Sequence, residues 1–290
     1  MTLFSIKESE DFLLAEQFIA PHEETCVFLA SHIRKHQEKL FFILKTEGTK
    51  GTDPSSSSSP NKKEILGLIY LDSSLFHCIP NQNLINGEEL ARLIKLNQKH
   101  KIKCISGEAQ TSEFLLRALM PNQGLPYQTN HYKLMAVEKV QSPNQELAND
   151  DQIIRCTEDD MERLFPIQKQ YLKEEVTPFG KTVTDAEVSI GLRQTLKNQL
   201  CLALCSDGEY VAKANTNAIG INWIQLGGIY TLPLYRRNGY AWQLISAICR
   251  RTGKAGKKAV LFVKDKNIPA IELYKKLGFR DSGLYEIAYF

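Results

Sequence analysis

Residues 229–242 read IYTLPLYRRNGYAW and combine a strand, a turn and a helix start in one short stretch. Aromatic and β-branched residues open it, Pro233 and Gly239 mark the turn, and helical apolar periodicity follows. The first turn of a helix has backbone N–H groups without intrahelical acceptors and attracts anions. Arg236 and Arg237 add positive charge at this point. The stretch therefore predicts a phosphate-binding turn, with an ordinary helix cap as the alternative.

A second pattern follows downstream, where residues 267–279 read NIPAIELYKKLGF. The turn at 236–241 has the form R-x-x-G-x-A, and the second stretch has the form N-x-x-A-x-x-x-Y-x-x-x-G-F. The first resembles the pyrophosphate motif of the GNAT superfamily of N-acetyltransferases, and the second resembles another signature of the same superfamily. Two motifs in the family's order support the resemblance more strongly than either does alone. It covers the last 140 residues and is strongest from Ile219 onward.

The resemblance implies acetyl-CoA as the acetyl donor and assigns roles to particular positions. Backbone groups around Ile229 and Thr231 would pair with the pantetheine arm, residues 236–241 would cradle the pyrophosphate, and Asn267 would hydrogen-bond the cofactor. Tyr274 would protonate the leaving CoA thiolate, with a packed aromatic as the alternative. The predicted cofactor-binding set is Ile229, Tyr230, Thr231, Arg236, Arg237, Asn238, Gly239, Tyr240, Ala241 and Asn267.

The sequence is less informative about the catalytic base. Some relatives carry a glutamate on the strand before the cofactor turn, but residues 223–228 read WIQLGG and Gln225 cannot act as a base. Glu174 and Glu175 are the best remaining carboxylates, since they fall between the first two helices of this half. The alternatives are that both lie on a solvated helix end, or that an ordered water carries the proton.

The length of 290 residues predicts two domains. We expect an α/β fold of two tandem GNAT-like domains, each with a mixed sheet flanked by helices: residues 1–140, a linker at 141–150, and a catalytic domain at 151–290. The predicted order in the second half is β-α-α-β-β-β-α-β-α, ending in a pair of strands. The first half repeats this order faintly, with Ile105–Ala109 expected where a cofactor turn would be. No arginine is present there, so we expect the first domain to be a degenerate copy without acetyl-CoA binding.

Composition narrows the choice of partners. The net charge of +3 is too small to indicate a nucleic-acid surface, and no uncharged apolar run is long enough to cross a bilayer. Seven cysteines without a C-x-x-C pair indicate reduced core residues in a cytoplasmic protein, with no metal site expected. The sequence thus favours an N-acetyltransferase in which a primary amine attacks acetyl-CoA directly. The alternative is a non-catalytic acyl-CoA-binding or regulatory module.

Overall fold

The computed structural model describes residues 1–46, 64–141, 151–177 and 182–290. The chain forms two compact units, one of Met1–Leu134 with Gly283–Phe290 and one of Met135–Ser282. We call them unit 1 and unit 2. The segment 47–63, which is rich in serine and which the sequence predicts as a long loop between two strands, lies outside the described residues, as does most of the predicted linker at 141–150.

Unit 2 contains the two sequence motifs. Its helices and strands along the chain are β7 (Gln152–Arg155), α5 (Met161–Tyr171), α6 (Asp185–Asn198), β8 (Cys201–Ser206), β9 (Glu209–Ile219), β10 (Trp223–Thr231), α7 (Tyr240–Gly253), β11 (Lys258–Lys264), α8 (Ile268–Lys276) and the start of β12 (Arg280–Tyr289). The strand order is β6-β11-β10-β9-β8-β7, with β6 contributing Met135–Val137. Strands β7 to β10 pair antiparallel, whereas β10 and β11 run parallel.

The sheet of unit 2 buries a different helix pair on each face because strand side chains alternate. Cys201 and Ala203 face the core formed with α5 and α6. Their neighbours Leu202 and Leu204 face the core formed with α7 and α8. Helix α6 begins with a capping box, in which Glu187 N–H donates to Thr184 Oγ1 and Thr184 N–H donates to the Glu187 carboxylate. Unit 2 is therefore a three-layer α/β unit.

Unit 1 has the same order of elements. They are β1 (Thr2–Ser5), α1 (Ser9–Ile19), α2 (Val27–Arg34), β2 (Leu40–Leu44), β3 (Ile65–Leu71), β4 (Ser74–Cys78), α3 (Gly87–Asn97), β5 (Cys104–Glu108), α4 (Ala109–Gln123) and β6 (Gln128–Val137). The strand order is β1-β2-β3-β4-β5-β12-β6, with β12 contributing Gly283–Tyr289 and β6 contributing Gln128–Leu134. Strands β4 and β5 run parallel, whereas β1 with β2, β2 with β3, β3 with β4 and β5 with β12 pair antiparallel. The apolar segments 40–44 and 65–71, which the sequence predicts as paired strands, form β2 and β3 and pair antiparallel.

The shared order of elements in the two units corrects one expectation about unit 1. Ile105–Ala109 forms β5 and the start of α4, so its counterpart in unit 2 is the β11–α8 connection. The counterpart of the cofactor turn is instead the β4–α3 connection, at residues 79–86. Gly107 shortly precedes a helix, and for that reason Ile105–Ala109 was expected to be the counterpart of the cofactor turn. The true counterpart was missed because β4 is a short strand that apolar periodicity does not reveal.

Two boundaries predicted in the second half are also wrong. The sequence predicts one strand from Ile219 to Tyr230. In the structure Ile219 ends β9 and β10 begins only at Trp223, so that prediction joined residues of two strands. The predicted pair of strands at the end of the chain is a single strand, β12. Among the described residues, no helix has both the length and the apolar character needed to span a bilayer.

Candidate functional site

Helix α7 begins at the predicted anion-binding turn. Gly239 is its N-cap residue and has φ of 76°, a left-handed conformation that favours glycine. Having no side chain, Gly239 leaves the first-turn N–H groups of α7 open to a ligand. Arg236, Arg237 and Asn238 are exposed just before it, whereas the side chain of Tyr240 is buried in the core. The geometry therefore suits an anion approached mainly by backbone groups.

The side chain of Arg236 is already engaged in this structure. Its Nε donates to the carbonyl oxygen of Thr231 at 3.1 Å, and its Nη2 lies 3.0 Å from Glu174 Oε2 and 3.2 Å from the Tyr230 hydroxyl. Gln170 donates to the other carboxylate oxygen of Glu174. Burial opposes ionisation of Glu174, but these hydrogen bonds and the Arg236 charge outweigh it and hold the pKa of Glu174 below its usual value. Glu174 is thus a weaker base than an ordinary glutamate.

The pairing of β10 with β11 ends before β10 itself does. The parallel ladder runs from Trp223↔Lys258 to Leu226↔Leu261, while β10 itself continues to Thr231. On its other edge the register with β9 shifts between Gly227 and Tyr230. This shift is a β-bulge, and it was not foreseen in the sequence although two adjacent glycines inside a strand are a known signal for one.

Tyr274 on α8 is 6% exposed and packs with its ring centroid 5.9 Å from that of Phe279. Burial raises the pKa of its hydroxyl, and the nearby groups of Tyr171 and Glu175 raise it further. Glu175 lies 3.6 Å from Lys264 Nζ, and Glu174 and Glu175 both belong to the π-helical turn Leu172–Val176 that continues α5. The structure therefore places Glu175 within electrostatic range of Tyr274 and pairs Glu174 with Arg236 instead.

Asn267 is the N-cap residue of α8. Its side-chain oxygen accepts a hydrogen bond from the Ala270 N–H at 3.3 Å, which is the usual interaction of a capping asparagine. The capping bond uses the amide oxygen and leaves the amide NH₂ as the group with which Asn267 could donate to a cofactor.

Sequence reasoning missed a buried polar group on β9. Lys213 is 1% exposed and donates to Asn215 Oδ1 and to the Gly228 carbonyl, each at 3.0 Å. Its Nζ lies 5.2 Å from the centroid of the Tyr171 ring. The available signal was a lysine in the middle of an apolar strand, whose side chain must either be exposed or have a specific partner.

A family model described as Acetyltransferase (GNAT) family matches residues 164–279. That segment contains the turn predicted to bind an anion, the bulged strand and Tyr274. The sequence matches no curated protein.

Solved structures extend the likeness to the whole chain. A Drosophila protein is 13% identical, with a TM-score of 0.57, over 98% of this chain and 91% of its own. An acetyltransferase from the GNAT family of Colwellia psychrerythraea is 12% identical, with a TM-score of 0.53, over 100% of both chains. This chain spans 65% of the length of a GNAT-family protein from Novosphingobium aromaticivorans, which covers 56% of this chain at 19% identity and a TM-score of 0.43.

At such identities the likeness concerns the fold alone. Full coverage by the Colwellia structure, together with the repeated order of elements, makes the two units tandem GNAT-like folds. The family match lies within the second of them, so residues 164–279 are the part of the chain that resembles the Acetyltransferase (GNAT) family.

Proposed function

We propose that unit 2 binds acetyl-CoA and transfers its acetyl group to a primary amine by direct attack. The observation that carries the proposal is the start of α7, where left-handed Gly239 follows two exposed arginines. A helix N-terminus without a capping side chain suits a pyrophosphate, because the anion replaces the missing hydrogen-bond acceptors. The proposed pyrophosphate cradle comprises Arg236, Arg237, Asn238, Gly239, Tyr240 and Ala241.

The pantetheine arm would lie along β10 beyond its last pair with β11. In this arrangement the backbone of Ile229, Tyr230 and Thr231 pairs with the amides of the arm as an added strand would. Support comes from the end of the parallel ladder at Leu226↔Leu261, since the rest of β10 extends past it. The Asn267 amide is the proposed side-chain donor to the cofactor.

The proposed reaction forms one bond and breaks one. The amine nitrogen attacks the thioester carbonyl carbon, the carbon–sulfur bond breaks, and the CoA thiolate takes a proton from the Tyr274 hydroxyl. The proton lost by the amine passes to a carboxylate, directly or through a water, and the Tyr274 phenolate is reprotonated from solvent before the next turnover. Of the two candidates we favour Glu175, because hydrogen bonds and Arg236 lower the pKa of Glu174 and so weaken it as a base.

A non-catalytic acyl-CoA-binding module remains the second candidate. It is favoured by one observation, that Glu174 and Glu175 each form an ion pair, with Arg236 and Lys264 respectively. The two candidates differ in turnover: only the enzyme releases CoA thiol from acetyl-CoA when an amine is supplied. A panel of small amines, peptide N-termini and lysine peptides would therefore separate them and identify the acceptor class.

We further propose that unit 1 does not bind acyl-CoA. Its β4–β5 ladder ends at Phe76↔Ser106, and the buried ring of His77 lies against the next residue of β5, Gly107. A Cβ atom at Gly107 would lie 2.1 Å from His77 Nε2, and that nitrogen is 2.9 Å from Ser112 Oγ. Burial lowers the pKa of His77 to about 3, so the ring is neutral and brings no charge for a phosphate.

A pair of substitutions at Gly239 tests the cofactor site. Gly239→Asp places a carboxylate against the pyrophosphate and should weaken acetyl-CoA binding by at least about 10-fold in calorimetry. Gly239→Asn is the matched control, since asparagine has nearly the same shape, tolerates the left-handed conformation and carries no charge. We expect it to bind more tightly than the aspartate variant. Equal affinity of the parent and a folded Gly239→Asp protein would remove the assignment of this turn.

A further inference from the structure

Three polar side chains of β9 lie against two adjacent glycines of β10. A Cβ atom at Gly227 would lie 2.1 Å from Asn217 Nδ2, and one at Gly228 would lie 2.0 Å from Asn215 Oδ1 and 2.6 Å from Lys213 Nζ. Lys213 Nζ donates to Asn215 Oδ1, and Asn215 Nδ2 donates to Asn217 Oδ1, each at 3.0 Å, so the three side chains lie together on one side of β9. The two glycines are thus the positions at which β10 makes room for the lysine and its amide neighbours.

The Lys213 ammonium has no carboxylate partner among the described residues. Its hydrogen bonds go to Asn215 Oδ1 and to the Gly228 carbonyl, both neutral acceptors, and the Tyr171 ring lies nearby. Burial removes the ammonium from water and so lowers the pKa of Lys213. An apolar side chain of similar length would fill this core without the free-energy cost of burying a charge, so the stability of the fold does not explain a lysine here.

The carbonyl that Lys213 binds belongs to the bulge in β10. Gly227 is the partner of Asn215 and Tyr230 is the partner of Lys213, so Gly228 and Ile229 lie opposite the single residue Ala214. An extra residue interrupts the ladder and leaves backbone groups without a strand partner. Gly228 has φ of 56°, and its carbonyl oxygen accepts from Lys213 Nζ at 3.0 Å. The ammonium therefore supplies a hydrogen bond at the point where the ladder is interrupted.

We propose that Lys213 is a positioning residue for acyl-CoA: its ammonium fixes the Gly228 carbonyl and so holds the bulge that presents residues 229–231 to the pantetheine arm. The inference rests on the proposed function, because it concerns the same strand. A charge-assisted hydrogen bond suits this task, since it is stronger and more directional than a neutral one. Lys213 itself would not contact the reacting atoms.

The test compares Lys213→Met, which keeps the side-chain length but loses charge and donor, with the parent. We expect the Kd and KM for acetyl-CoA to rise about 10-fold, the loss of one hydrogen bond to a charged group, while kcat changes less. The melting temperature should stay level or rise, because a buried charge has been removed. Lys213→Gln keeps a neutral donor and should fall between the two in affinity. Lys254→Met, at an exposed lysine, is the control for the loss of charge.

Hydrogen exchange supplies a readout that does not depend on activity. The amides of Ile229 and Thr231 should exchange faster in Lys213→Met, since the bulge is no longer fixed. A folded Lys213→Met protein with acetyl-CoA affinity within about twofold of the parent would overturn the inference. So would loss of folding in this variant, because it would assign Lys213 to the stability of the core. If the parent itself does not bind acetyl-CoA, the proposed function fails instead.

Discussion

The Tyr274 hydroxyl is a buried phenol whose pKa is raised by burial and by nearby Tyr171 and Glu175. A raised pKa keeps the hydroxyl protonated from about pH 6 to 9, so a proton donor is present throughout this range, but it also makes the phenol a weaker acid. We predict that Tyr274→Phe lowers kcat about 10- to 100-fold and leaves acetyl-CoA affinity little changed. The expected fall in kcat is small for the loss of a general acid, because a CoA thiolate can also leave unprotonated near neutral pH. Steady-state rates across this pH range check the prediction.

Tyr285→Phe is a matched control for that measurement. Tyr285 is a buried tyrosine of unit 1 whose pKa is also raised by burial, and its hydroxyl lies 2.9 Å from Ser106 Oγ. Removing its hydroxyl should affect stability but not turnover, because unit 1 has no proposed catalytic role. A Tyr274→Phe protein with parental rates across the whole pH range would leave Tyr274 as a packing residue of the cofactor cleft.

At this scale the sequence predicted the identity of several site residues but not their contacts. Arg236 was expected beside the pyrophosphate, yet its side chain is bound to Glu174, a residue 62 positions earlier in the chain. The position of Lys213 opposite Gly228 depends on the register of β9 and β10. Such contacts follow from strand register and helix packing, which spacing along a single sequence does not specify.

At the scale of elements, the bulge in β10 depends on glycine for two separate reasons. Gly228 has a positive φ, and the space beside its Cα is taken by Asn215 and Lys213. Gly208, in the turn between β8 and β9, has φ of 81°, but no atom lies within 4 Å of the position that a Cβ would occupy there. The two glycines thus share the conformational requirement and differ in crowding.

We predict that Gly208→Ala lowers the free energy of unfolding by about 1 kcal/mol, the cost of a left-handed alanine. Gly228→Ala should cost at least about 2 kcal/mol, because a new methyl group must also displace the buried ammonium and amide from their hydrogen bonds. Only Gly228→Ala should weaken acetyl-CoA binding. Denaturant unfolding and calorimetry on the two variants measure both effects. Equal losses of stability would show that crowding at Gly228 is relieved without cost.

Element order was the most predictable property of unit 2. Helices α5 to α8 and the strands between them follow from apolar periodicity and from the two motifs, because these signals are local. The boundary between β9 and β10 was missed because Gly220–Asn222 is a short turn between two long apolar strands. Strand β4 was missed because five residues are too few for a clear alternation.

At the scale of the whole molecule, the end of the chain belongs to unit 1. Gly283–Phe290 is grouped with Met1–Leu134, and β12 pairs with β5 from Tyr285↔Glu108 to Tyr289↔Cys104. The Phe290 N–H donates to the Lys103 carbonyl, and the Tyr127 N–H donates to the Tyr289 carbonyl, each at 2.9 Å. No local signal indicates this return, because Tyr285 and its partner Ser106 are 179 positions apart in the chain. The unit 1 sheet is therefore incomplete in any fragment that stops before β12.

We predict that residues 1–134 alone do not unfold cooperatively, because β5 loses the strand that covers its edge. Fusing residues 283–290 to this fragment through a flexible Gly/Ser linker of about 20 residues should restore a cooperative transition and slow hydrogen exchange in Cys104–Glu108. The same linker with a scrambled version of residues 283–290 is the control, since it keeps composition but loses the alternation that buries Ala288. Thermal unfolding followed by circular dichroism provides the measurement. If the fragment without residues 283–290 unfolds as cooperatively as the fusion, β12 is dispensable for unit 1.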